Sequence, residues 1–168
     1  TLTAGLTTAF AATSALRAQS IPVGDPGCEG TVFAACGYGG FGSSSPWKFE
    51  SGSGGAWRPQ SCWEMFAPEG IHVGFINGGT LKQTLTTTGV AGAPYARSVT
   101  LGRRNHGCCP AQPTTLALWA GTRLIGSRVV SVAEAPSPGK WGRYTLSTNA
   151  PADLAPGLPL IIRFSNPG

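Results

Sequence analysis

From residue 21 onward, apolar and polar side chains alternate over short segments that end at clusters of glycine, proline or serine. The clearest example is residues 80–87 (TLKQTLTT), in which Leu81, Gln83 and Leu85 fall on one side. A period of two residues is typical of a β-strand with one buried face. The pattern therefore predicts strands rather than helices for most of the chain.

Segments of this kind recur at fairly regular intervals along the sequence. Strands are predicted for residues 46–51, 71–76, 80–87, 95–103, 114–121, 122–132, 140–148 and 158–165. Regular spacing with turn residues between the segments is typical of a β-sandwich or barrel. We expect an all-β jelly-roll sandwich of about eight antiparallel strands. Gly78 and Gly79 predict a tight turn between the second and third strands, and Gly121 a hairpin bend.

The first twenty residues differ from the rest, because residues 1–16 carry no charged side chain. Leu2, Leu6 and Phe10 recur every four residues, which forms one stripe along a helix and predicts a docking surface. Residues 1–20 are interpreted as a signal-like or anchor segment, and residues 21–168 as the jelly-roll domain. A soluble N-terminal helix or strand is the open alternative.

The composition supports a turn-rich domain with a weakly charged surface. Only 11% of the 168 residues are charged, whereas about 25% is usual, and the chain has 25 glycines and 14 prolines. The formal net charge is +5, but the basic residues are scattered and only Arg103 and Arg104 are adjacent. Without a basic helix or a basic and aromatic array, we expect no binding to nucleic acid.

The signal-like or anchor segment leads us to expect a periplasmic or extracellular, membrane-associated location, and in an exported chain the five cysteines favour loop disulfides. The cysteines are Cys28, Cys36, Cys62, Cys108 and Cys109. Cys28 and Cys36 are the candidate disulfide, because they would close a short loop, although sequence alone leaves the connectivity open. His106, Cys108 and Cys109 lack a second pair of ligands. No metal and no cofactor are therefore expected.

No arrangement of residues in the sequence indicates catalysis. The seven acidic residues are dispersed, and the two histidines, His72 and His106, have no partner at a diagnostic spacing. None of the common nucleophile, metalloprotease, phosphate or dinucleotide motifs occurs. The sequence therefore predicts a protein that is not an enzyme, with no catalytic residues.

The order GFINGGTLKQTL, YARSVTLGRRN, TTLALWAGTRLIG, WGRYTLST and LIIRFSNPG resembles the galactose-binding-like jelly-roll domains of exported bacterial proteins, many of which carry a PEP-CTERM sorting tail. The resemblance covers about residues 46–166. It implies that Gln83 faces inward with its amide hydrogen-bonded. Arg97 departs from the pattern, since an inward apolar residue is expected there, and is predicted to lie at a strand end or beside an acid.

Aromatic and basic residues in two long connections suggest one contact site at an end of the sandwich. The candidate contact residues are Trp57, Trp63, Phe66, Arg103, Arg104 and Asn105. Such side chains are enriched at protein interfaces. We expect a non-catalytic accessory or scaffold subunit whose partners are other subunits of a membrane-associated assembly, such as a respiratory or photosynthetic complex. The alternative is a carbohydrate-binding module in which these aromatics stack on a glycan.

Overall fold

The computed structural model describes residues 21–60, 65–105 and 110–168, and within these ranges all regular structure is β-strand. The eight strands are β1 (Tyr38–Gly39), β2 (Lys48–Trp57), β3 (Val73–Thr88), β4 (Pro94–Gly102), β5 (Thr114–Ala120), β6 (Arg123–Val130), β7 (Trp141–Asn149) and β8 (Pro159–Asn166). All pairs are antiparallel. The predicted all-β sandwich is confirmed.

The two sheets differ greatly in width. One has six strands in the order β1-β2-β3-β8-β5-β6, and the other has only β4 and β7. The inward face of the large sheet carries Leu85, Leu118, Leu160 and Ile162, which pack against Leu146 of β7 in the main core cluster. The narrow sheet cannot cover all of the wide one. The rest of its inner face must therefore be covered by another part of the chain.

Residues 21–47, called the strap below, provide this cover. Val23 and Phe33 of the strap pack with the cluster that contains Trp47, Ala56 and Leu81. The Trp47 indole N–H donates to the carbonyl of Asp25 at 2.8 Å. Burying these aromatic rings stabilises the strap against the sheet by roughly 1.5–3 kcal/mol per large side chain.

Gln83 joins the strap to the middle of β3. Its side chain is 2% exposed. The Gly24 N–H donates to the Gln83 side-chain oxygen at 2.7 Å, and the Gln83 amide nitrogen donates to the Gly24 carbonyl at 2.8 Å. The prediction that Gln83 faces inward with a hydrogen-bonded amide is confirmed, and its partner is the strap.

The prediction of a turn at Gly78 and Gly79 is wrong. Residues 73–88 form one continuous strand, β3, and both glycines lie inside it. Their φ angles are 109° and 101°, and the pairing with β2 shifts register opposite them, so they form a bulge. A Cβ on Gly79 would collide with the carbonyl oxygen of Ser51, which is why glycine is required there.

Two further predictions need correction. Residues 51–57 were expected in a loop, but β2 continues through the glycine-rich run to Trp57. The disulfide between Cys28 and Cys36 does not form, because Cys28 is a buried free thiol while Cys36 is disulfide-bonded. The docking stripe Leu2, Leu6 and Phe10 lies outside the described residues. Within the described ranges there is no helix long and apolar enough to span a membrane.

We predict that Gln83→Leu destabilises the fold by about 2 kcal/mol, because the Gly24 N–H and carbonyl would stay buried without partners. The measurement is the free energy of unfolding from denaturant titration. Thr84→Val is the matched control, since Thr84 is the exposed neighbour on the opposite face of β3. Equal stability of both variants would show that the strap is held by apolar packing alone.

Candidate active site

One end of the sandwich brings together the connections that the sequence singled out. Here β2 and β4 end while β3 and β7 begin, so the described residues that follow Trp57 and Gly102 leave the two sheets at the same end. The Trp141 indole N–H donates to the Phe66 carbonyl at 2.8 Å, and Trp141 is opposite Gly102. This contact fixes the two connections relative to each other.

Three aromatic side chains lie on the same face of β1, β2 and β3 at this end of the sandwich. Trp57 is opposite both Tyr38 and Val73, and Phe75 is two residues beyond Val73. Residues with this register share a face. The Tyr38 and Phe75 rings meet edge to face, with 6.2 Å between centroids and an angle of 84°.

Arg104 completes this group. Its guanidinium carbon lies 5.0 Å from the Trp57 ring centroid and 5.6 Å from that of Phe75. Both distances are within the range of cation–π attraction, which contributes roughly 0.5–2 kcal/mol. Tyr38, Trp57, Phe75 and Arg104 are called the aromatic site below. Within this site, the positively charged guanidinium of Arg104 lies against the electron-rich faces of the Trp57 and Phe75 rings.

The aromatic site is buried at its base and open at its mouth. Trp57 is 3% exposed, whereas Tyr38 is 69% exposed. Other apolar side chains exposed at this end are Val32, Phe66 and Ile71. Exposed aromatic and apolar side chains beside a buried ring offer a surface on which a flat, mainly apolar ligand can pack.

The predicted contact residues differ in where they lie in the structure. Trp57 and Arg104 are in direct contact, and Phe66 lies at the same end of the fold. Arg103 continues the β4–β7 pairing, since its N–H donates to the Lys140 carbonyl and its carbonyl accepts from Gly139. Asn105 is exposed, and Trp63 lies outside the described residues. Trp57 was predicted on a loop but ends a strand.

Tyr38 and Phe75 were missed as site residues. Tyr38 belongs to a strand of only two residues, which leaves no alternating pattern. Phe75 does lie in a predicted strand, but nothing in the sequence marks which face of the strand points to the Arg104 loop. The alternating pattern could have shown that Phe75 shares a strand face with Val73, but not what that face contacts.

His72 is buried beside this site and has a structural role. Its side chain is 1% exposed. Nδ1 donates to a carboxylate oxygen of Glu29 at 2.8 Å, and Nε2 accepts the Phe33 N–H at 3.2 Å. Because both ring nitrogens are engaged, His72 has none left for a substrate. It instead fastens the strap to the start of β3.

Glu29 holds the other side of this contact. The backbone N–H groups of Ile71 and His72 donate to its second carboxylate oxygen at 2.8 and 2.9 Å. Gly70 is required beside it, because φ is 64° there and a Cβ would collide with the carboxylate. Partial burial raises the pKa of Glu29, but these donors outweigh it and lower the pKa below the ordinary 4.5.

The Cys28 thiol is also unsuited to catalysis. Burial, and then the negative charges of Asp25 and Glu29, raise its pKa to about 12. A thiol reacts as a nucleophile only when ionised, so Cys28 is inert near neutral pH. Its sulfur instead packs under β3 at Gly74, where a Cβ would lie 3.1 Å away.

Most described carboxylates accept hydrogen bonds that hold the fold: Asp25, Glu29, Glu50, Glu134 and Asp153. Glu69 differs. It is exposed in the same connection as Phe66, and within the described ranges it makes no hydrogen bond or ion pair. Its carboxylate is therefore open to contact with a ligand at this end.

The aromatic site lies at one end of the β-sandwich, where the exposed Tyr38 ring can be reached by a small molecule. A family model described as HpiC1-like, HpiC1 cyclase, matches residues 19–168. The chain belongs to this HpiC1-like cyclase family. No curated protein matches the chain.

Solved cyclases share the fold. An apo cyclase from Fischerella sp. is 20% identical with a TM-score of 0.71, over 88% of this chain and 86% of that one. A cyclase from Fischerella sp. TAU in complex with 4-(1H-indol-3-yl)butan-2-one is 20% identical with a TM-score of 0.71, over 89% of each chain. The Stig cyclase Fisc from the same organism, in complex with (3Z)-3-(1-methyl-2-pyrrolidinylidene)-3H-indole, is 18% identical with a TM-score of 0.69, over 88% and 87%.

The family overturns the function expected from the sequence. The resemblance to galactose-binding-like PEP-CTERM domains is wrong, because the matching family is that of the HpiC1-like cyclases. The expected non-catalytic subunit, its protein or glycan partners and the carbohydrate-binding alternative are wrong for the same reason: the family is one of enzymes. The expected periplasmic or extracellular location stays a prediction.

We predict that the melting temperature of the Glu29→Gln variant falls less than that of the unsubstituted protein as the pH is lowered into the acid range. The folded-state pKa of Glu29 is lowered, so its contribution is fully present above the ordinary pKa of 4.5 and is lost as pH falls through the lower folded value. The measurement is the melting temperature between about pH 6 and pH 3, taken relative to the unsubstituted protein.

The control for this experiment is Glu69→Gln, which removes an exposed carboxylate from the adjoining connection without breaking a described hydrogen bond. It should keep the full acid dependence of the unsubstituted protein. A Glu29→Gln variant with that same dependence would show that the Glu29 carboxylate does not contribute to attachment of the strap.

Proposed function

We propose that the chain is a cyclase that closes a ring in a small, aromatic, indole-like substrate bound at the aromatic site. The observation that carries the proposal is the stacking of Arg104 across Trp57 and Phe75 at the open end of the sandwich. Membership of a cyclase family supports the reaction class. The indole compounds bound to two cyclases of the same fold support the substrate class.

The substrate ring would lie against the side of the Arg104 guanidinium that faces away from Trp57 and Phe75. An electron-rich indole can stack there, because both its faces are apolar and its π electrons attract the cation. Tyr38, which meets Phe75 edge to face, would border the ring on the open side. Phe66 and Ile71 would limit the access of water to the bound ligand.

Ring closure depends on holding two parts of one molecule in contact. Aromatic rings held in place by strand pairing would restrict the substrate to folded conformers, which lowers the entropic part of the barrier. Glu69 would supply or accept the proton, since its carboxylate is available at this end.

We predict that Tyr38→Ala weakens binding of 4-(1H-indol-3-yl)butan-2-one about tenfold, which corresponds to one lost aromatic contact. The measurement is the dissociation constant by calorimetry. Leu124→Ala is the matched control, because Leu124 is an exposed apolar residue beside the β5–β6 bend at the opposite end. Equal weakening by both variants would contradict the location of the site.

We predict that Glu69→Gln lowers kcat about 100-fold while substrate affinity changes little, because a positioned acid or base contributes roughly that much. The measurement is product formation by mass spectrometry from an indole substrate whose side chain is long enough to close a ring. Asp153→Asn, which changes an exposed carboxylate in the β7–β8 connection at the opposite end, is the control. Full activity of Glu69→Gln would remove Glu69 from the mechanism and leave the aromatic site as the proposed binding site.

A further inference from the structure

The bulge in β3 contains an asparagine followed directly by a glycine. The pairing on either side leaves two residues of β3, Asn77 and Gly78, opposite a single residue of β2, Ser53. The pairing with β8 begins one residue later, at Gly79. The extra residue of a bulge is left outside the ladder of paired residues. Asn77 is also exposed, so its side chain lies in solvent at an interruption of the sheet.

An asparagine that precedes a glycine can react with its own main chain. The Gly78 nitrogen forms a bond to the side-chain carbonyl carbon of Asn77. The side-chain amide group leaves as ammonia, taking the proton that the Gly78 nitrogen loses, and a five-membered succinimide ring remains. Water then opens the ring. Cleavage between the nitrogen and the side-chain carbonyl gives aspartate, and cleavage between the nitrogen and the main-chain carbonyl gives isoaspartate.

Two features of the bulge favour this reaction. A side chain on the following residue would crowd the nitrogen as the ring closes, and Gly78 has none. Ring closure also requires the backbone to leave the extended geometry of a strand. The φ angle of Gly78 is 109°, far from the strand value of about −140°. Gly78 itself is buried, so water reaches the ring from the exposed side of Asn77.

We propose that Asn77 and Gly78 form a site of spontaneous modification, at which a succinimide converts Asn77 to aspartate and isoaspartate in the folded protein. Both products add a negative charge, and isoaspartate adds one atom to the main chain of β3. The bulge has no room for it, because Gly79 already lies too close to the Ser51 carbonyl for a Cβ. Modification therefore weakens the contact between β2 and β3. The site is independent of the proposed cyclase activity.

The test is peptide mapping by mass spectrometry while the folded protein is incubated in mildly alkaline buffer. The peptide that contains Asn77 should gain about one dalton and separate into two forms by chromatography. Two asparagines of the same chain are internal controls. Asn149 precedes an alanine and is paired with Pro94, and Asn166 precedes a proline, which has no N–H to lose. Both should stay unmodified over the same period.

The same peptide in the denatured protein gives the reference rate. We expect the folded protein to react at Asn77 within about 100-fold of that rate, because a bulge opens locally at far lower cost than the whole domain. A reaction that required global unfolding would be slowed by more than about 1,000-fold. A rate slowed that far, or modification of Asn149 at the pace of Asn77, would overturn the proposal.

Asn77→Gln removes the site, because the longer side chain closes a six-membered ring much more slowly. This variant should keep its mass and its melting temperature during incubation, whereas the melting temperature of the unsubstituted protein should fall as isoaspartate accumulates. Asn149→Gln is the matched control and should lose stability as the unsubstituted protein does. An equal fall in all three proteins would contradict the proposed effect on β3.

Discussion

Attachment of the strap to β3 is the constraint on which the rest of the structure depends. A six-stranded sheet faces a sheet of only two strands, so a large part of its inner face has no strand above it. Residues 21–47 fill that space with Trp47 and Phe33. Apolar packing alone does not fix the position of the strap along the sheet. Two polar contacts fix it: Gly24 with Gln83, and Glu29 with His72.

The same attachment builds the aromatic site. β1 belongs to the strap, and it supplies Tyr38 opposite Trp57. Gly55 has to lack a side chain because a Cβ there would collide with the Gly39 carbonyl, so β1 lies close against β2. The bulge at Gly78 and Gly79 changes the pairing between β2 and β3 just beyond Phe75. The placement of the three rings is thus a consequence of backbone geometry far from the Arg104 loop.

The sequence predicts the sheets better than it predicts the site, and the reason is physical. Burial of one strand face imposes a period of two, which is visible in Leu81, Gln83 and Leu85. No such period marks the glycine-rich half of β2, where the strand persists through close backbone contacts, so it was predicted as a loop. Gly78 and Gly79 have the same chemistry in a turn and in a bulge, and only the pairing partner distinguishes the two.

Function was harder to predict because the proposed chemistry requires no motif. Some acid–base and metal enzymes set reactive groups at short, fixed spacings that leave a record in the sequence, whereas a single carboxylate such as the one proposed at Glu69 leaves none. A site that folds a substrate against aromatic faces needs only flat, rigid walls and a nearby charge. Trp57 and Arg104 are 47 positions apart, and Arg104 lies in the connection that follows a strand of the other sheet, so only the three-dimensional structure relates them. The absence of a catalytic motif was therefore weak evidence against an enzyme.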